Sequence, residues 1–175
     1  MIKGTKSLNS KLNKLADVIA KENIGRATGN AVKIVQAEAK LLCPVNNGEL
    51  RNSIHTMVEE SADKTVGICY TNKAYGIFVE FGTGPRGEAD HAGISPAVTP
   101  VYSMAPWWIH ESQIDKADAE RYHWFFIDTP EGRFYQCSGQ PAKPFMYPAL
   151  KDNEEHVTRN ISNYIQRKIK EAMQQ

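Results

Sequence analysis

Leu8, Leu12, Leu15 and Ile19 are spaced four, three and four residues apart, which is one face of an amphipathic helix. The period resumes with Val32, Val35 or Ile34, Ala39 and Leu42. Gly25 and Gly29 lie between the halves, and each weakens a helix interior. The pattern therefore predicts one long helix with a soft middle, or two helices meeting near Gly25. Pro44 ends it, because a residue preceding proline avoids the helical region. Asn46-Asn47-Gly48 then supplies turn chemistry that tolerates positive φ.

Period-two patterning follows. Between Ser53 and Glu59, Ile54, Thr56 and Val58 share one face, with His55 and Met57 on the other. From Lys64 to Thr71, Val66, Ile68 and Tyr70 alternate strictly. A turn at Ala62-Asp63 makes the pair a hairpin. Tyr75 to Phe81 is a short apolar run that fits helix or strand equally, closed by Gly82, Gly84, Pro85 and Gly87. Residues 84–121 read as a long excursion without clear period up to Pro106, then a short polar helix from Ser112 to Tyr122. A connection that long points to function or mobility. The clearest hairpin has aromatic arms, residues 123–127 and 133–137, around Asp128-Thr129-Pro130-Glu131-Gly132. Leu150, Val157, Ile161, Tyr164, Ile165 and Ile169 keep helical spacing over about six turns, with Pro148 near the first turn. The sum is an α+β domain over residues 1–175: a small antiparallel sheet, a long N-terminal helix, a C-terminal helix, and a large insertion at about 84–121 between central strands.

Composition changes little in this picture. A chain of 175 residues with 41% apolar content suits one domain with a real core. Its apolar runs fall far short of the roughly 20 residues of a membrane span, and no apolar run follows the N-terminal lysines, so neither membrane association nor a signal peptide is expected. Charge is more informative. Residues 1–42 hold eight Lys/Arg against three Asp/Glu, whereas residues 43–150 hold eight against thirteen. The basic segment is either a solvated helix face or a surface for nucleic acid or an acidic partner. Cys43, Cys69 and Cys137 are few, distant and odd in number, which predicts buried or half-buried thiols rather than a disulfide framework.

Catalytic patterns are sparse. Gly82-Thr83-Gly84-Pro85-Arg86-Gly87 satisfies Gly-x-Gly-x-x-Gly on paper, but Pro85 follows at once and no helical pattern begins, so a chain-reversing loop is expected. His55, His91, His110, His123 and His156 lack the tight spacing of zinc ligands, and no metal or cofactor is expected. Cys43, at a helix end, is a poor nucleophile. Glu80, inside an apolar run, is the one carboxylate that burial could turn into an acid or base; the alternative is pairing with an Arg or capping backbone N–H groups. Trp107-Trp108, in an expected loop, either anchor the insertion or mark a partner surface.

Three stretches carry a family resemblance: Cys43-Pro44-Val45-Asn46-Asn47-Gly48-Glu49-Leu50-Arg51-Asn52-Ser53-Ile54, Tyr75-Gly76-Ile77-Phe78-Val79-Glu80-Phe81-Gly82-Thr83, and Gln140-Pro141-Ala142-Lys143-Pro144-Phe145-Met146-Tyr147-Pro148-Ala149-Leu150. In this order they resemble the head–tail joining proteins of tailed bacteriophages, the neck or tail-completion family named after gene product ten of a lambdoid phage. Pro44, Gly48, Leu50, Arg51, Ser53, Tyr75, Glu80, Phe81, Gly82, Thr83, Pro144, Phe145 and Pro148 stand at matching positions. Cys43 replaces the usual Ala, Asn46-Asn47 the usual Asp-Thr, and Lys143 the usual Arg. The resemblance does not extend over residues 84–139.

The resemblance implies a structural, non-enzymatic virion protein at the head–tail junction of a long-tailed phage or prophage, assembled in the bacterial host cytoplasm. It implies a ring of copies around the DNA channel, partnered by head-closure and tail proteins, with passive DNA contact. Two other classes compete: a small enzyme using Glu80 with His91 or His110, and a DNA-binding accessory protein using the basic N-terminal helix.

Overall fold

In a computed structural model, residues 5–18, 21–121 and 123–174 are described. They form two compact units. One joins the residues up to Lys73 with those from Phe145 onward, and the other runs from Ala74 to Pro144. The expected α+β class, with small antiparallel sheets and long helices near both termini, is what the chain adopts.

In the first unit, α1 (Thr5–Val18) packs against the C-terminal helix, and α2 (Lys21–Leu42) packs against both the C-terminal helix and the hairpin. The helix does not part near Gly25. Gly25 and Gly29 lie well inside α2, because cooperative hydrogen bonding and packing on the sheet outweigh about 1 kcal/mol of lost propensity at each. Ile19 lies outside the described residues. Ala27, Ala31, Val32, Val35 and Ala39 form the buried stripe of α2, so the inward residue is Val35 rather than Ile34. Leu42, by contrast, is exposed, and the buried side chain at that end is Cys43.

The helix stops before Pro44 as expected. Gly48 takes the left-handed conformation at φ 81°, and the Asn47 side chain accepts a hydrogen bond from the Glu49 N–H at 3.1 Å. The turn also contains a single helical turn that the pattern did not reveal, α3 (Glu49–Asn52), whose Leu50 plugs the core. β1 (Ile54–Glu60) and β2 (Thr65–Thr71) form the expected antiparallel hairpin, with Ile54 opposite Thr71. Its inner face is Ile54, Thr56 and Val58 against Thr71, Cys69 and Gly67. A Cβ at Gly67 would sit 3.0 Å from Thr28 and 3.1 Å from Val32, so glycine lets the strand approach α2 closely. The alternating set Val66, Ile68 and Tyr70 faces away, leaving Met57, Val66 and Tyr70 exposed.

The C-terminal segment is interrupted, not continuous. α7 (Met146–Lys151) and α8 (Glu154–Gln174) meet at Asp152-Asn153, where the Asn153 amide donates to the Ala149 carbonyl at 3.0 Å and competes with regular helix bonding. Phe145 and Ile54 are the largest fully buried side chains among the described residues. Pro148 sits in the first turn of α7, where its missing N–H is tolerated.

In the second unit, the ambiguous apolar run is helix α4 (Gly76–Phe81). Contrary to expectation, a second short helix begins inside the glycine-rich stretch, α5 (Gly84–Ala89). Pro85 favours this start rather than preventing it, because proline at a first helical turn is pre-set for helix. The strand–turn–helix context of a dinucleotide site is still absent, since α4 precedes the glycines.

Trp107 and Trp108 lie on strand β3 (Trp107–His110), not on a loop. The strand was hidden because its partner is remote in sequence. β3 pairs with β5 (Gly132–Cys137), which pairs in turn with β4 (Phe126–Thr129), giving the antiparallel order β3-β5-β4. The predicted aromatic hairpin is β4–β5, closed by Thr129 and Gly132. The expected polar helix is shorter and split: a 3-10 turn at Glu111–Gln113, then α6 (Lys116–Arg121). Tyr122 lies outside the described residues.

Candidate functional site

The family-like motif Tyr75–Thr83 and the remote residues around Gln140 meet within the second unit. Thr83 and Gln140 exchange backbone hydrogen bonds of 2.9 and 3.1 Å. The Gln140 amide also donates to the Phe78 carbonyl at 2.9 Å, and the Lys143 N–H to the Val79 carbonyl at 2.8 Å. Gly139 makes this contact feasible. It holds φ 84°, and a Cβ there would collide with the Thr83 carbonyl. The second motif and the lead-in to the third are thus one interlocked backbone structure.

Above this junction opens a cleft of about 920 Å³. Tyr75, Ile77 and Phe78 of α4 form one side and Trp107 and Cys137 of the sheet another, with a strap that includes Val101 and Tyr102 across them. The Tyr102 hydroxyl donates to the Phe81 carbonyl at 2.7 Å, and its ring stacks on His91 at 5.8 Å, which pins the strap. Burial, and secondarily the negative charge of Glu88, raise the Tyr102 hydroxyl pKa, so it stays a neutral donor at physiological pH. The lining is overwhelmingly apolar yet open to solvent: Val101 is 96% exposed and Phe78 53%. Such a surface is suited to covering by a partner.

The two tryptophans divide. Trp107, opposite Cys137, lines the cleft, while Trp108 points to the other sheet face and meets Phe125 at 6.1 Å between ring centroids. Of the motif residues, Tyr75, Phe81, Gly82, Thr83 and Trp107 line the cleft. Glu80 occupies the buried side of α4, 6% exposed. Pro44, Gly48, Leu50, Arg51 and Ser53 belong to the helix–hairpin turn of the first unit, where Ser53 donates to the Leu50 carbonyl at 2.7 Å and lies 2.6 Å from the Thr71 hydroxyl. Pro144, the last residue of the second unit, is half-buried, whereas Phe145 and Pro148 lie in the first unit's C-terminal segment.

The candidate acid–base partners have local roles. His91 Nδ1 lies 3.1 Å from the Gly87 carbonyl. His110 places Nδ1 2.8 Å from Ser112 Oγ and Nε2 3.1 Å from the Glu131 carbonyl, with its ring edge-on to Phe134. Among the described residues no cluster of three His, Cys, Asp or Glu is placed to hold a metal, and no buried side-chain nitrogen or oxygen lacks a hydrogen-bond partner. Cys43 is buried, and burial pushes the Cys69 thiol up to about 11 against the opposing pull of Lys40, so Cys69 is not a ready nucleophile. No helix among the described residues is long and apolar enough to cross a membrane.

Sequence reasoning missed most of the cleft. Val98, Pro100, Val101 and Tyr102 sit in a stretch without period. What could have pointed to them is apolar residues scattered through a polar loop, where solvent exposure is unfavourable unless something covers them.

Residues 6–82 match the HK97-gp10-like family, described as "Bacteriophage HK97-gp10, putative tail-component". The matched span takes in the first motif and all of the second but Thr83, and ends before the third. No curated protein and no solved structure matches the chain. The match covers less than half of the chain, and what it indicates is a likeness to a phage tail component.

Proposed function

We propose that this chain is a head–tail junction subunit of a long-tailed phage or prophage, completing the neck or the top of the tail as a ring of copies around the DNA channel. The observation that carries this reading is the family match over residues 6–82, to which the apolar cleft adds a surface built for protein contact. Head-closure and tail proteins are the partners on either side of the ring, and assembly takes place in the host cytoplasm. The motif residues from Pro44 to Ser53, from Tyr75 to Thr83 and from Pro144 to Pro148 specify the fold, with Glu80 a structural carboxylate. Residues 1–175 act as one functional subunit in which the 84–121 segment supplies contacts of its own. Contact with DNA is passive and falls to the basic N-terminal helices, where Arg26, Asn30 and Lys33 line a shallow groove.

The test is a phage carrying a deletion of this gene. The expected outcome by electron microscopy is DNA-filled heads and separate complete tails, restored to joined particles by supplying the protein in trans. Particles with normally attached tails in its absence would rule the reading out.

A further inference from the structure

We infer that, in the ring just proposed, helix α1 of one copy docks into the Tyr75–Gln140 cleft of the next. Three observations converge on this occupant. First, α1 carries an unburied leucine ridge: Leu8 is 58% and Leu12 53% exposed, one turn apart on the same stripe as Leu15. α1 packs against the C-terminal helix and Leu15 is half-buried, yet Leu8 and Leu12 stay more than half exposed, and an amphipathic helix with spare apolar surface is a common ligand of an apolar groove. Second, the cleft is a concavity of about 920 Å³, which can receive apolar side chains projecting from a helix. Another exposed apolar face, Met57, Val66 and Tyr70 on the hairpin, is a sheet surface.

Third, the charges agree. Residues 1–42 carry eight Lys/Arg against three Asp/Glu, while residues 74–144 carry five against nine. Glu88 is exposed and follows Gly87, where a Cβ would stand 2.8 Å from the ring of the cleft residue Tyr102, so negative charge stands beside the cleft. α1 itself carries Lys6, Lys11 and Lys14 against Asp17, charge of the opposite sign. Complementary potentials of this kind set register and speed encounter.

The contact is head-to-tail: the surface that α1 presents differs from the one it enters. Such a heterologous contact leaves one helix and one cleft free on every open chain of copies, and it closes only as a ring.

Two singly blocked proteins test this by sedimentation velocity across a concentration series. One carries Leu8→Glu with Leu12→Glu, and the other carries Val101→Glu with Phe78→Glu. All four positions are solvent-exposed, so far-UV circular dichroism and thermal melting should match the wild type. The wild type should self-associate, more weakly at high salt. Each blocked protein alone should associate at least about tenfold more weakly. Mixed together they should form a 1:1 pair and stop there, because one intact helix and one intact cleft remain. All four changes in one chain should abolish even that pair.

Blocked proteins that assemble as the wild type does overturn the docking while leaving the ring intact. A wild type that stays monomeric at every concentration also overturns it, since both surfaces are present in the free chain. Failure of the head–tail reading is a separate result, seen only in the particles of the deletion phage.

Discussion

The two units handle their apolar residues in opposite ways. The first buries a compact set: Ala27, Ala31, Val32, Val35 and Ala39 from α2, Leu50 from α3, Ile54 from β1, Phe145 and Ala149 at α7. The second buries glycines, Glu80, Ala119 and Tyr135, and leaves Ile77, Phe78, Val101, Trp108, Phe125, Phe126 and Ile127 exposed. One is a core-forming unit and the other a surface-forming unit. Burying apolar area is the main favourable term in folding and in association alike. A unit that leaves so much of it unburied keeps that free energy for a partner.

Phenylalanine gives the sharpest way to break this contrast. Phe145→Ala should cost about 3–5 kcal/mol, because a fully buried ring leaves a cavity. Denaturant melts measure it, and a loss under about 1 kcal/mol would mean the first unit's core is not where it is drawn. Gly139→Ala comes next, at about 2 kcal/mol or more, from the left-handed backbone and the collision with Thr83. A protein unaffected in melting and in self-association would show that the Thr83–Gln140 junction does not organise the cleft. Phe125→Ala, 63% exposed, should then shift stability by no more than about 0.5 kcal/mol. A core-like loss at that position would erase the distinction between the units.

The smallest effect is electrostatic. Asp128 is held below the ordinary carboxylate range by its hydrogen bonds from Arg133, helped by that residue's charge, at 2.8 and 3.2 Å. A carboxylate whose folded pKa is depressed contributes stability that is complete above its unfolded pKa of about 4 and is lost as pH falls through the folded value. Acid should therefore weaken the β4–β5 hairpin slightly, and Asp128→Asn should flatten that dependence. Because the pair is exposed, salt should reduce the effect further. NMR titration of the Asp128 carboxyl measures the depression directly, and a midpoint at the ordinary value would remove this contribution.

The same division explains what the sequence makes legible. In the first unit, period and neighbours agree. The leucine spacing of α1, the valine spacing of α2, the alternation of β1 and the proline and glycine of the turn before it all act locally, and all appear in the fold. Where the pattern left a choice, packing decides: α2 keeps Gly25 and Gly29 in register because the sheet lies against it, and of the two residues open for the inward position Val35 takes it. In the second unit the deciding partners are distant. β3 is a strand only because β5 lies 22 or more residues later, and Tyr102 becomes a cleft wall only through the Phe81 carbonyl, 21 residues earlier. No local period records such pairings. The β4–β5 hairpin, whose partners are adjacent, was legible even there. The family-like motif at Tyr75 was legible as a motif, and its interlock with Gln140 was not.

The span of the cleft lining has a consequence for timing. Its residues run from Tyr75 to Gln140, and its wall strand β3 has no partner until β5 has been made. At about 5–20 residues per second, a ribosome takes roughly 3–13 s to cross that interval. A nascent chain therefore displays its leucine helix early and gains its receptor late. Two growing chains on one message cannot join through unfinished clefts, and only a chain translated past Gln140 can receive a neighbour.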